Sequence, residues 1–266
     1  MSKKVAFHSF GRGVGKSILT ANVAALLASA GQRVGVVDVD LHAPSLHIPF
    51  GIKESQINYV LNDYLAKKCD FEAAVYDVSA CLLPNTSGKI FLVPSSSRMM
   101  EINRIVREGY EFASLHQGLD WLTEARQLDV LLMDVCAGLS EDTLLPIAIS
   151  DVLVIILRPD PQDYQGTAVT VEIARRLEVA RIFLIPNMVP TAFDFAEVKA
   201  KVEQTYQCDV AAVLPYSEDV MTLASSGIFA LHHPTHPITH SMQRLAELIV
   251  SGSPVFSEKE FRIWDV

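Results

Sequence analysis

Ser9-Phe10-Gly11-Arg12-Gly13-Val14-Gly15-Lys16-Ser17 stands between a short apolar run, residues 4–8, and an alanine- and leucine-rich stretch with helical spacing, residues 17–30. A strand that turns into a helix through small residues lets backbone N–H groups curl around an anion, and the helix adds the positive end of its dipole. A lysine followed by a hydroxyl residue suits phosphate and Mg²⁺: Lys16 reaches the β- and γ-phosphates, and the Ser17 hydroxyl takes the metal. The nucleotide-binding stretch is therefore Gly11, Arg12, Gly13, Val14, Gly15, Lys16, Ser17 and Ile18. The usual Gly-x-x-x-x-Gly-Lys-Ser/Thr pattern has a glycine where Phe10 stands, and Gly11 comes one residue late. A left-handed turn at Phe10 would be costly, so the loop entrance is predicted to differ in shape.

The rest of the chain repeats the same alternation. Apolar runs at 4–8, 34–38, 90–94, 130–134, 152–157 and 181–186 are separated by helical patterns at 17–30, 99–109, 117–126, 163–177 and 195–206, with a last helix at 240–250. Strands that are apolar throughout and alternate with helices indicate an α/β fold. It is a doubly wound, mostly parallel sheet of the P-loop NTPase type with helices on both faces, a three-layer sandwich. We read residues 1–250 as one P-loop domain and residues 251–266 as a C-terminal tail. Half of the 266 residues are apolar and the net charge is −9, which excludes disordered and collagen-like classes and a bulk polyanion binder. The N-terminus does not read as a secretory signal, and no apolar run approaches the length of a membrane span. Cys69, Cys81, Cys136 and Cys208 lie far apart with no paired spacing, which argues against a zinc site or a disulfide framework and for a reducing cytoplasm.

Two further strands end in carboxylates, in Val36-Val37-Asp38-Val39-Asp40 and in Leu132-Met133-Asp134. In such sheets ligands sit at the carboxyl ends of the strands, so these acids share a rim with the loop. Asp134 is the candidate to hold Mg²⁺ through water, Asp40 to orient or deprotonate the attacking water, and Asp38 to support the metal shell. One such Asp alone would read as a cap or turn residue; three in this order read as a site.

The segments FGRGVGKS (10–17), VVDVDLHAPSLHIPFG (36–51), LLMDVCAGLSEDTL (131–144), SDVLVIILRPDPQDY (150–164), IFLIPN (182–187) and VLPYSEDV (213–220) together resemble the MinD/ParA family of deviant-Walker ATPases. The resemblance covers about residues 3–250. It implies an ATP-dependent homodimer whose hydrolysis drives release from a surface and so positions cargo, with a protein activator or cargo adaptor as partner. It also implies that Lys16 and Ser17 bind phosphate and Mg²⁺, Asp40 is the hydrolytic Asp, Asp134 the Mg²⁺-shell Asp, and Asn187 and Pro215 contact adenine. The family's signature Lys near the loop start falls on Gly11 here, with Arg12 one step on. Arg12 is expected to replace that Lys in part, stabilising transition-state charge; a solvated Arg on an exposed loop is the plainer reading.

Other constellations carry less. His232, His233, His236 and His240 cluster among two prolines and read as a loop before the final helix rather than as metal ligands. Cys136 lacks the second suitably placed cysteine that an iron–sulfur site would need, and reads as a small buried hydrophobe. Arg175, Arg176, Arg181, Lys199 and Lys201 are the candidates for a basic DNA-facing surface, which the −9 charge argues against. The tail has apolar residues but balanced charge, a poor membrane-surface helix. Met99, Met100, Ile102, Ile105 and Val106 read as a core-packing stripe that is also a place for a partner. Two other functions compete with the ATPase switch: a weakly or non-hydrolysing nucleotide-binding regulator, kept alive by Phe10 and Gly11, and a metabolic P-loop ligase or kinase.

Overall fold

The computed structural model describes residues 2–223 and 225–251; the tail from 252 onward lies outside the described residues. Eight strands form one sheet: β1 (Lys3–His8), β2 (Arg33–Val39), β3 (Tyr76–Asp77), β4 (Lys89–Val93), β5 (Val130–Val135), β6 (Val152–Leu157), β7 (Arg181–Pro186) and β8 (Asp209–Val210). Their order is β3-β4-β2-β5-β1-β6-β7-β8, parallel except for the antiparallel pair β3–β4. The helices are α1 (Lys16–Ser29), α2 (Leu61–Leu65), α3 (Met99–Glu108), α4 (Phe112–Ala125), α5 (Glu141–Ala148), α6 (Pro161–Arg176), α7 (Phe195–Tyr206), α8 (Glu218–Leu223), α9 (Phe229–His232) and α10 (Pro237–Val250).

Alternation along the central strands feeds two cores. Val5, Phe7, Val34, Val36, Val130 and Leu132 join one core with α1 and α10. Ala6, Val37, Val39, Leu131 and Met133 join the other, with α4 to α7. The sheet is thus covered on both faces, which is why its strands are apolar at every position. The same period of two puts Asp38 and Asp134, partners in register across β2 and β5, on the face that α1 covers.

Several elements differ from the expectation. Strands β3 and β8 are two residues each and edge the sheet, too short for any pattern. Helix α5 is masked in the sequence by Pro146 in its interior. Helix α4 begins at Phe112, well before residue 117. The final helix begins at Pro237, where the proline occupies the first turn and His236 caps it, its ring accepting from the Ile238 amide at 3.1 Å. The α3 stripe is not core: among its apolar residues only Ile105 is buried, and Met99, Met100 and Val106 are exposed.

Candidate functional site

The loop from β1 to α1 is held from three sides. The Ser9 hydroxyl donates to Gly11 O at 2.8 Å, the Gly138 amide donates to Ser9 O at 3.0 Å, and the Asn187 side chain donates to Val14 O at 2.7 Å. Gly13 and Gly15 take positive φ, 71° and 88°. A Cβ on Gly15 would sit 2.6 Å from Asn187 Nδ2, so glycine is required there for space as well as for angle. Gly15 caps α1 with no side chain to satisfy its first amides, and no acid lies in its first turn. A helix N-terminus left bare in this way is an anion site.

Phe10 explains the shifted entrance. Its ring lies against Gly166 of α6, where any Cβ would overlap it. Gly11, the position of the expected signature Lys, presses on Asp163, whose Oδ1 a Cβ would overlap. Asp163 is fixed there by the Arg158 amide (3.0 Å) and Arg158 Nε (3.2 Å), both donating to Oδ2. A lysine side chain at position 11 is therefore shut out by α6. Arg12 is exposed, lines the cleft, and has no partner among the described residues.

Lys16 is buried at the floor of the cleft, its ammonium 2.5 Å from Asp134 Oδ1 and 3.8 Å from Asp40 Oδ2. Burial alone would lower its pKa, but the charges of Asp134, Asp40 and Asp38 outweigh that and raise it. Burial, with Asp134 facing it, pushes Asp38 up to about 8, against the pull of the amides that donate to it. Asp134 is likewise raised by burial, with Lys16 pulling the other way. Three carboxylates on one ammonium leave the site short of positive charge.

Asp38 departs from its expected role in the metal shell. It is fully buried, its Oδ1 accepts from the Asp40 amide (3.2 Å) and its Oδ2 from Ser45 (3.1 Å) and Leu46 (3.0 Å). Its carboxylate pins the loop that follows β2 and does not reach the cleft. Asp40, by contrast, lines the cleft, with Oδ1 accepting from the Ala43 amide at 3.0 Å. Asp134 Oδ2 is buried without a partner.

The cleft, about 390 Å³, is bordered by the loop residues Gly11 to Ile18, Asp40, Ala137, Met188 and Met221. A more apolar recess of about 50 Å³ opens beside it, sharing Gly15, Ile18, Met188 and Met221 and lined further by Asn187, Pro215 and Tyr216. The residues suit Mg²⁺: an orphaned carboxylate oxygen on Asp134, the Ser17 hydroxyl and surplus negative charge are oxygen donors of the right kind. Among the described residues no three His, Cys, Asp or Glu side chains form a ready metal cage, as befits an ion that keeps its waters and shares phosphate oxygens.

Most of the expected basic surface is paired within the chain, Arg175 and Arg181 to backbone carbonyls and Arg176 and Lys199 in surface ion pairs. Arg175 donates to Tyr206 O and Gln207 O, Arg181 to Leu248 O and Ser251 O, while Arg176 pairs with Glu172 and Lys199 with Glu203. Only Lys201 of the five has no partner among the described residues. Two features escape sequence reading: Asp163 beneath Gly11, and a hydrogen bond between His42 and Asp142 at 3.0 Å. Both join residues far apart in the chain.

A family model described as ParA, NUBPL iron-transfer P-loop NTPase, matches residues 1–250. An uncharacterized ATP-binding protein of Methanocaldococcus jannaschii is 25% identical over 255 residues, 95% of this chain and 89% of its own. The flagellum site-determining protein YlxH of Helicobacter pylori is 30% identical over 192 residues, 71% of this chain and 58% of its own. Among solved structures, the septum site-determining protein MinD of Pyrococcus horikoshii, complexed with Mg-ADP, superposes with a TM-score of 0.76 at 19% identity, covering 94% of this chain and 96% of its own.

Proposed function

Because this chain belongs to the ParA/MinD-like family of P-loop NTPases, we propose that it is a slow ATPase that binds ATP with Mg²⁺, dimerises around it, and acts as a positioning or regulatory switch. The observation that carries the reading is Lys16, seated on the bare N-terminus of α1 and buried between Asp134 and Asp40. An arriving triphosphate offers Lys16 phosphate oxygens in place of carboxylates, and the first amides of α1 meet the same oxygens. Lys16 then leaves Asp134 Oδ1 and Asp40 Oδ2 free. Asp134 and the Ser17 hydroxyl would hold Mg²⁺, which supplies charge neutralisation on the phosphates. Asp40 Oδ2, on the cleft wall, accepts a hydrogen bond from the attacking water and orients it. Asn187 and Pro215 border the recess that receives the base, and Asn187 also steadies the loop through Val14 O. Arg12, exposed at the cleft edge, is the cation that would meet transition-state charge, in its own subunit or its partner.

A positioning role is supported by the likeness to YlxH and MinD, both named site-determining proteins. The exposed Met99, Met100 and Val106 on α3 offer a face for a protein partner. We also assign the protein to a reducing cytoplasm, which its four free cysteines support. Iron transfer, which the family description names, is less favoured. A cluster needs cysteines brought together as ligands, whereas Cys69, Cys81, Cys136 and Cys208 lie far apart in the chain with no paired spacing, and no group of three or more metal-ligating side chains forms among the described residues.

The test is mass in solution with Mg²⁺ and ATP, ADP or neither, together with phosphate release. A dimer with ATP alone, and phosphate release that Lys16→Ala abolishes, is the expected result. A monomer in all three conditions overturns the dimer switch, and ATP binding without phosphate release leaves the non-hydrolysing regulator.

A further inference from the structure

Asp40 stands on the loop after β2 and Asp134 near the end of β5, and their relative position decides whether a water can be held over a phosphate. The loop after β2 is tied mostly to its own strand: Asp38 receives the amides of Asp40, Ser45 and Leu46. The β2–β5 ladder ends at Val39 and Val135; beyond it, Lys16 is one polar side-chain bridge to the β5–α5 segment, contacting Asp134 and Asp40. The other is His42 Nε2 to Asp142 Oδ2 at 3.0 Å. His42 follows Asp40 by two residues, and Asp142 lies in the first turn of α5. Both side chains are mostly covered, 29% and 23% exposed, so the pair is partly shielded from water and is not a loose surface contact.

The base of α5 is itself firmly set. The Ser140 amide bonds Thr143 Oγ1 at 3.1 Å, and the Thr143 hydroxyl donates to Ser140 O at 2.7 Å. Behind Asp142 lies Tyr110, with a buried hydroxyl; burial first, and then the charge of Asp142, raise its pKa. Asp142 therefore has a fixed backbone on one side and a phenol on the other.

We propose that His42 is a positioning residue for hydrolysis, which acts through Asp142 to hold the Asp40 loop against the start of α5, beyond the strand end that carries Asp134, once Lys16 has turned to the nucleotide. The inference rests on the reading of Asp40 as the water-orienting residue, but the latch itself is a statement about two loops. While Lys16 bridges the carboxylates, the His42–Asp142 bond is one of two ties. When Lys16 moves to phosphate, it is the remaining polar side-chain tie beyond the end of the β2–β5 ladder among the described residues. Losing it lets Asp40 drift, and a misplacement of about 1 Å can cost on the order of a hundredfold in rate.

The experiment compares His42→Ala, His42→Gln and Asp142→Ala with the wild type, all as full-length protein with Mg²⁺ and ATP. His42→Ala should lower kcat by roughly tenfold to a hundredfold with KM nearly unchanged, since neither residue lines the cleft. His42→Gln should recover most of the loss, because its amide can still donate to Asp142. Hydrogen exchange of amides 40–48 reads the latch without turnover: they should exchange faster in His42→Ala and Asp142→Ala, and at the wild-type rate in His42→Gln. Wild-type protection of 40–48 in both alanine variants overturns the latch, whatever the rate of phosphate release. A wild type that releases no phosphate overturns the hydrolytic reading of Asp40 alone, while the exchange comparison still decides the latch.

Discussion

Helices α1 and α3 read alike along the chain, each a run of apolar residues at helical spacing, and the fold uses them in opposite ways. In α1 ten of the fourteen residues are buried, including Leu19, Val23, Ala24, Ala25 and Leu27. In α3 one of ten is buried, Ile105, while Met99, Met100 and Val106 face outward. The difference lies in where each helix leaves the sheet. Helix α1 follows β1, a central strand, and is roofed by α10 and α9. Helix α3 follows β4, one strand from the edge, beyond which lies only the two-residue β3. Spacing predicts which residues of a helix share a face; the place of its strand in the sheet decides whether that face is covered.

The contrast is broken most forcefully from the α1 side. Leu27 is 2% exposed in the core beneath α10. Leu27→Ala should cost about 2–5 kcal/mol, since the lost transfer energy is joined by a cavity the packed layers cannot fill. Urea unfolding with an unchanged m-value would read it; a loss under about 1 kcal/mol would mean that the layer is loosely packed.

At its N-terminal end the same helix turns from packing to chemistry. Lys16→Ala removes the ammonium that faces three carboxylates, and should lower phosphate release by about 10²–10³-fold, the usual cost of one preorganised cationic or hydrogen-bond donor. Nucleotide titration alongside would separate lost binding from lost turnover. A variant that turns over at the wild-type rate would remove the α1 terminus from the mechanism.

The floor of this region is also where acid should act first. His8 is fully buried, its Nδ1 3.1 Å from Cys136 O, and burial followed by the Lys16 charge lowers its pKa to about 3. Its unfolded value is near 6.5, so below that pH the unfolded chain takes a proton that the folded chain refuses. Stability should therefore fall as pH drops from 6.5 toward 3, by about 2 kcal/mol between pH 6.5 and 5 from this group alone. The measurement is the difference in unfolding free energy between wild type and His8→Gln across that range. Parallel curves would mean that His8 ionises freely in the folded protein.

How much of this is open to sequence reading follows the same divide. The central strands are legible because burial on both faces makes every position apolar, as in Val152–Leu157. The phosphate loop is legible because glycine, lysine and serine at that spacing have few other uses. What stays hidden is set by neighbours distant in the chain. Nothing near Asp38 says that its oxygens will be taken by the amides of Asp40, Ser45 and Leu46, and nothing near Gly11 names Asp163 as the group that excludes a side chain. Helix α5 does leave a trace, since Ser140 and Thr143 stand three apart as a cap, but Pro146 breaks the periodic pattern around it.

The smallest expected effect tests the other side of the contrast. Met100 is 86% exposed, so Met100→Ser removes apolar atoms that already lie in water, and the unfolding free energy should stay within about 0.5 kcal/mol of wild type. Set beside Leu27→Ala, this makes the comparison quantitative: two apolar residues on helices of similar pattern, differing several-fold in what they contribute. A loss of the Leu27 size would mean that the face of α3 is covered in solution. Repeating the unfolding at tenfold dilution would then tell which cover it is, because a second copy of the chain leaves on dilution and a segment of the same chain does not. An unchanged stability leaves Met99, Met100 and Val106 as an apolar face held ready in water, costing the fold little and available to a protein that can bury it.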